Sequence, residues 1–531
     1  MKKNIFRSMS MAVIIAVSLA SCQKDLNRKP TNSTTADQAY STPLGYKQSL
    51  AKVYGAYALT SSTAPDASDL GGIDAGTSDF LRLWWNTQEL TTDNAINAWG
   101  DVDLTSFHHL NFSSTNTQLN GLYNRCIYQI TVANAFIRES TDDKLASRGI
   151  TGTDATNVKY YRAEARFLRA FQYWVLMDTF GNPPFVDENT PVADKSYFPA
   201  QITRAKLFAY IESELKAIDP LLVAPKQNEY GRADQAADWA LLARMYLNAE
   251  VYLGSGNGKY TDAITYANKV IGAGYTLNSS YPKLFLADNN LSNPEMILSI
   301  NYDGVSTQNY GGTTYLINAS INGSMSPTSY GVPNGGWGGN RSTKNLPQIF
   351  ADYSGKTDKR AMFFSNSAID VTNETDFTQG LAVTKFKNIT SAGATPSSSN
   401  GVFCSTDFPL FRLAEMYLIN AEATLRGGSG NALSPVQDIN LLRNRAYGNT
   451  SGNVTSVSLT DVLNERQKEL YWEACRRTDL IRYGLFTSAS YVWPWKGGSR
   501  DGTGVSANFN LFPIPTSDIT NNPNLTQNPG Y

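Results

Sequence analysis

The sequence predicts a mostly helical protein in which helical hairpins stand beside a loop-rich, irregular half. Three observations lead there. Apolar residues recur at three- and four-residue spacing over long segments, the period of one helix face. Glycine and proline clusters end such segments abruptly, as at Gly181-Asn182-Pro183-Pro184. Two stretches, residues 60 to 80 and 300 to 345, carry no such period and are rich in small polar residues and glycine. Loops that long in a compact protein are usually functional or disordered, and the aromatic content argues against disorder.

The N-terminus has the order of a secretory signal. Lys2, Lys3 and Arg7 lead, Met11 to Ala20 is apolar, and Leu19-Ala20-Ser21-Cys22 follows. The apolar run is shorter than the roughly 20 residues of a membrane span. A leucine, two small residues and a cysteine match a bacterial lipobox, in which the cysteine is acylated and becomes the first mature residue. The competing reading is an ordinary signal peptide that carries a cysteine by chance. We therefore expect a signal peptide over 1–21, lipidation at Cys22, and a polar flexible tether over 22–44. Acyl chains would make the protein membrane-anchored without spanning.

Helices follow in order. Ala163, Phe167, Ala170 and Trp174 form one stripe, widened by Leu168, Phe171 and Val175. Leu242, Met245, Tyr246 and Ala249 form the next, and Tyr260, Ala263, Ile264, Ala267 and Ile271 a third. The short connection through Gly254 to Gly258 makes the last two an antiparallel pair. Its pattern, Ala243 to Tyr246 and then Tyr260-x-x-Ala263, resembles a tetratricopeptide unit. A second pair is expected from Leu413 to Leu425 and from Ser434 onward. There Ser434 can cap, Pro435 suits the first turn and Gln437 completes a capping box. A further helix is expected from Asp461 to Tyr483, capped by Thr460. The prolines in Leu511-Phe512-Pro513-Ile514-Pro515 exclude a helix there. The expected organisation is an N-terminal region over 45–230, a helical pair over 231–290, and a C-terminal region over 291–531 with a loop-rich insert at 300–400.

Composition excludes several functions. Net charge is -1, leaving no basic excess for nucleic acid. Charged residues make up 17%, below the roughly 25% of average proteins, so the surface must draw on Asn, Ser, Thr, Gly and Tyr. Such a surface suits neutral, hydroxyl-rich ligands. Histidine is the commonest general base and metal ligand, and only His108 and His109 occur. Cys126, Cys404 and Cys475 are widely spaced with no CxxC, so neither a zinc site nor a disulfide framework is indicated. No cofactor is expected.

Several segments resemble the SusD/RagB family of outer-membrane lipoproteins. They are AEARFLRAFQYWVLMDTFGNPPFV (163–186), GRADQAADWALLARMYLNAEVY (231–252) with YTDAITYANKVI behind it, and FRLAEMYLINAEATLR (411–426). NERQKELYWEACRRTDLIRYG (464–484) and LFPIPTSDITNNPNLTQNPGY (511–531) complete the series, and NTQELTTDNAINAWGD (86–101) resembles a subgroup signature. They occur in family order over nearly the whole mature chain. The resemblance implies a SusD-like fold of four tetratricopeptide-like units and an irregular half, held at the outer face of the outer membrane. It implies a SusC-type TonB-dependent transporter as partner, capped as by a lid, and oligosaccharide ligands, or peptides in the RagB branch. It implies no catalysis.

Sugar rings offer C–H faces to aromatics and hydroxyls to polar side chains. Trp174, Trp239 and Trp472 lie in helical patterns and are expected in the core. Trp493 and Trp495 are expected to be structural, and at least one of Trp84 and Trp85 buried. Trp99 follows a polar run and precedes Asp101, and Trp337 lies between glycine pairs where backbone can approach a ligand. The resemblance places ligand contacts in the regions 60–103 and 300–345. The expected binding set is Trp99, Trp337, Tyr310, Asp93, Asp101 and Arg341. Charged residues of the long helices, including Glu164, Glu415, Arg412 and Glu473, are expected to join neighbouring helices. The competing functions are peptide uptake and, less favoured, a helical glycoside hydrolase, for which no motif supplies the required carboxylate pair.

Overall fold

The computed structural model describes residues 35–191, 194, 196–364 and 368–531; the leader, Cys22 and residues 23–34 of the expected tether lie outside them. The remainder of that stretch is not a tether, because Thr35 caps a short Ala36–Ala39 helix with Gln38 and the next helix already begins at Pro43. Among the described residues no helix is long and apolar enough to cross a membrane.

Helices form where periodicity and caps coincide. Thr42 caps the Pro43–Ala58 helix by accepting the Gly45 N–H at 3.1 Å, with Pro43 in the first turn. The Gly152–Thr179 helix is buried on every side from Ala163 onward, not along one stripe. It packs against the Thr117–Glu139, Pro43–Ala58 and Arg204–Ile218 helices. Its end comes at Gly181, whose φ of +75° suits a residue without Cβ. A row continues from Gln235–Leu247 to Tyr260–Ile271, to Leu413–Leu425, and from there to Pro435–Tyr447 and Leu459–Leu470. Ser434 and Gln437 form the expected capping box. The main core runs from Tyr46 to Leu525 and draws on every part of the described chain.

One helix differs from expectation. Ser458, not Thr460, is the cap, and the helix stops at Leu470 before another spans Arg476–Arg482. Trp472 and Ala474 take left-handed φ values of +66° and +58°. Tertiary contacts hold that break. Trp472 accepts the Trp85 indole N–H at 3.2 Å, and Glu89 accepts the Ala474 N–H at 2.9 Å. Such residues persist in this region only when surroundings over-determine them.

Of the charged residues expected to join neighbouring helices, Glu415 does so and Glu164 meets a turn residue. Glu473 and Arg412 lie off the helices, in the break after Leu470 and at the end of the Phe408–Arg412 strand. Glu164 receives Arg232 at 3.0 Å, Glu415 receives Arg244 at 2.6 Å and Glu473 receives Arg412 at 2.7 Å.

Three short antiparallel ladders order the irregular half. β2 (Met296–Ile300) pairs with β6 (Phe408–Arg412), and β4 (Phe363–Phe364) with β5 (Ala382–Val383). β1 (Ala95–Asn97) pairs with β3 (Asn340–Ser342), with Ile96 opposite Arg341. This last ladder binds the two loop regions, distant in sequence, side by side.

Candidate functional site

The β1–β3 ladder delivers Trp99 to its place. The Ala98 N–H donates to the Gly339 carbonyl at 2.8 Å just beyond the strands. A Cβ on Gly339 would stand 2.6 Å from Trp99 Cε2, so the indole lies directly on that glycine. Two residues earlier is Trp337. Its N–H donates to the Asn318 carbonyl at 2.8 Å, and Gly336 and Gly338 hold φ of +92° and +61° on either side. Glycine is what allows that backbone to fold so tightly about one aromatic residue.

Arg82 closes the group. Asp79 caps the Phe80–Trp85 helix through the Arg82 N–H at 2.8 Å and also takes the Gly312 N–H at 2.7 Å, pinning the 310 loop beside it. The guanidinium lies 4.4 Å over the Tyr315 ring and 5.7 Å from the Trp99 ring, and Nη1 donates to the Tyr310 carbonyl at 3.3 Å. Tyr310 in turn has its ring 6.4 Å from that of Trp337, tilted by 43°. Tyr310 is 38% exposed, and Trp99 and Trp337 are half-buried. Burial draws the Arg82 pKa down, against the pull of Tyr315, Asp74, Asp79 and Asp101. Asp74 and Asp101 are both exposed. The group therefore offers partly exposed aromatic faces, one cation and two carboxylates, the chemistry that C–H faces and hydroxyls need.

Four expected residues, Trp99, Trp337, Tyr310 and Asp101, thus meet in one region of the surface. Asp101 also caps the Val102–His109 helix through the Asp103 N–H at 2.8 Å. The other two lie inside. Asp93 is fully buried; Arg476 grips both its oxygens at 2.7 Å and Tyr491 donates to it at 2.6 Å. Burial alone would raise its pKa, but Arg476, Tyr491 and Gln467 hold it below the usual carboxylate range. Arg341 is equally buried and donates to the carbonyls of Asn373, Glu374 and Gln379. Burial lowers its pKa to about 10, against Asp376 and Glu374. Neither side chain can reach a surface ligand as placed. Arg341 sits on β3 and Asp93 just before β1, and both strands are buried along their whole length.

Sequence reasoning missed Arg82 and Asp74. A signal existed for Arg82, the lone charge in the apolar hexapeptide FLRLWW. Of the other tryptophans, Trp84, Trp85, Trp174, Trp472 and Trp493 are buried, while Trp239 and Trp495 are half-buried. An apolar cavity of about 190 Å³ shares no residue with the aromatic group. It is lined by Tyr54, Tyr57, Leu168, Leu298 and Leu410 and offers few partners for hydroxyls.

Comparison with known proteins gives the family and the fold. Over its full length the chain is 35% identical to the starch-binding protein SusD of Bacteroides thetaiotaomicron, covering all of both sequences. The chain belongs to the SusD family. The profile described as SusD family matches residues 350–531, and one described as starch-binding, associating with the outer membrane, matches 76–247. SusD-like protein P2 of Formosa agariphila is 27% identical over 74% of this chain and 78% of its own. The SusD-like fold recurs in solved structures. Surface glycan-binding protein A of Bacteroides uniformis superposes with a TM-score of 0.69 at 23% identity, over 92% of this chain and 99% of that one. Its counterpart from Bacteroides thetaiotaomicron, in complex with laminarihexaose, gives 0.67 at 21% identity, over 91% and 98%.

Proposed function

We propose that the chain binds starch-type α-glucan at the cell surface and delivers it to a SusC-type TonB-dependent transporter. One observation carries the glycan reading: Trp99, Tyr310 and Trp337 gathered around Arg82, partly exposed, with Asp74 and Asp101 at hand. The 43° between the Tyr310 and Trp337 rings bears on the class of sugar. A flat β-1,4 ribbon needs near-coplanar aromatics. A curved α-1,4 chain turns successive C–H faces relative to one another, and tilted rings follow that turn. The starch-binding name of the 35% identical relative supports the same class. The relatives are named as binding proteins, and this chain is a binding protein without catalytic turnover. Cys22 supplies the lipid anchor and the residues after it the tether, so that the helical body stays at the outer membrane beside its transporter.

Calorimetry with maltoheptaose, laminarihexaose, cellohexaose and a peptide mixture tests this. We expect maltoheptaose to bind best. Trp99→Ala and Trp337→Ala should each weaken it about tenfold, a loss of about 1.4 kcal/mol, at unchanged melting temperature. Binding to peptides and to no glycan would overturn the reading. So would hydrolysis abolished by one Asp or Glu substitution. For delivery, detergent-solubilised membranes should yield the protein together with a TonB-dependent transporter; recovery without one sinks that step. Cys22→Ser should abolish fatty-acid labelling.

A further inference from the structure

We infer that Phe377 is an additional sugar-stacking residue beside the aromatic group, and that Arg341 is the positioning residue for the loop that carries it. The inference rests on the glycan-binding reading above.

Residues 373 to 379 read NETDFTQ, six polar residues around one aromatic. A lone apolar side chain in such a loop would ordinarily turn into the core or lie loose in water. Phe377 instead rests on the edge of the main core, as Trp99 and Trp337 do, with part of its ring left exposed. It is half-buried, and a Cβ on Gly338 would lie 3.6 Å from its Cγ. Trp99 stands against Gly339 in the same way. Trp337, Gly338 and Gly339 are consecutive, so Phe377 and Trp99 both abut the short glycine stretch that follows Trp337. The absence of side chains there lets Trp99 and Phe377 close in on the backbone just after Trp337, with Asn322 also against Gly338.

The loop is built to hold its shape. Gln379 Oε1 accepts the N–H groups of Thr372 and Asn373, each at 2.7 Å, closing the loop at its base. Asp376 Oδ1 accepts the Thr378 N–H at 2.9 Å and its hydroxyl at 2.7 Å, fixing the turn around Phe377. From beneath, the buried Arg341 guanidinium ties together the carbonyls of Asn373, Glu374 and Gln379. From the side, the His109 ring meets the Glu374 carboxylate at 2.8 Å. His109 is the last residue of the helix that Asp101 caps, so the loop is braced against the segment carrying Trp99 and Asp101. A pre-ordered aromatic adds affinity because little is lost in fixing it on binding. Placed at one flank of the group, it would meet only a ligand long enough to pass Trp337 and Trp99.

The test is ligand length. Maltotriose and maltoheptaose are titrated into wild type, Phe377→Ala, Phe377→Trp and Trp99→Ala. Phe377→Ala should weaken maltoheptaose three- to tenfold and leave maltotriose within twofold, and Phe377→Trp should restore the loss. Trp99→Ala should weaken both sugars. Arg341→Met should copy the length-dependent loss and speed proteolysis within 373–379, with maltotriose still bound. Phe377→Ala matching wild type for both sugars overturns the inference while the glycan reading stands. An equal loss for both sugars also overturns it, because Phe377 would then serve the group as a whole. If wild type binds neither sugar, the glycan reading itself fails and this inference with it.

Discussion

Asp93→Asn separates a structural carboxylate from a ligand-binding one. Asp93 is fully buried, with both oxygens on Arg476 at 2.7 Å, Tyr491 at 2.6 Å and Gln467 at 3.1 Å. Removing one partner of a buried ion pair costs about 3–5 kcal/mol, because the other charge is left uncompensated. Asparagine keeps the shape and one carbonyl for Arg476, so the lower end, about 3 kcal/mol, is expected. For a chain this large the urea slope should be at least about 3 kcal/mol per M, so the midpoint falls by up to about 1 M. Tryptophan fluorescence reports it. The loss has a pH signature. Asp93 is held below its unfolded value near about 3.9. Its contribution is therefore complete above that value and disappears as pH falls through the lower folded one. The gap between wild type and variant should narrow in acid. Glycan affinity of the folded variant at neutral pH should stay within twofold. Unchanged stability with tenfold weaker glycan binding would refute the burial-based assignment.

Three further outcomes follow from the same geometry. Gly339→Ala should push the Trp99 indole aside, since the new Cβ would stand 2.6 Å from Cε2, and calorimetry should show about tenfold weaker maltoheptaose binding with little change in melting temperature. Arg82→Lys loses the planar stack over the buried Tyr315 ring, a contact of about 0.5–2 kcal/mol, and should lower stability by about that amount, read by thermal melting. Asp238 is buried with neither oxygen hydrogen-bonded, and burial, then Asp219, pushes its pKa well up against Lys269. A raised carboxyl destabilises the fold as pH climbs past the unfolded value near about 3.9, so Asp238→Asn should stabilise by about 1 kcal/mol or more at pH 7 and not at pH 3, read by thermal melting.

Helices were legible because periodicity and capping are local. Ser434, Pro435 and Gln437 announce a helix start, and the structure has it there. The break at Trp472 was not legible, because contacts from Trp85 and Glu89, nearly 400 positions away, impose it. The two loop regions were legible only in part: the stretch 300–345, expected to be non-helical, carries a buried helix over Gly312–Ala319, whose short apolar run Tyr315-Leu316-Ile317 gives no full helical period. Which polar residues face outward was not legible. Asp93 and Asp101 stand in one short polar segment, yet β1 intervenes and sends one to Arg476 and the other to a helix cap on the surface. Arg341 was misplaced for the same reason. Its burial follows from the pairing of β3 with β1, some 245 positions away, in a ladder buried along its whole length.

The misplaced arginine points to how the irregular half holds a site at all. Loops without ladders leave carbonyls that must find donors once buried. Here guanidinium and ammonium groups supply them. Arg125 donates to the Ser78 and Thr60 carbonyls, Lys385 to Tyr471, Lys496 to Ser488 and Tyr491, and Arg341 to three carbonyls of one loop. Each has several donors on a long stem, so one side chain can fix backbone segments far apart in sequence. Much of the modest charged content is thereby spent indoors, and a surface of hydroxyls, amides and aromatics remains. That division suits a neutral, hydroxyl-rich ligand. Charge orders the loops from beneath, while the exposed faces of Trp99, Tyr310 and Trp337 lie at the surface we propose for the sugar.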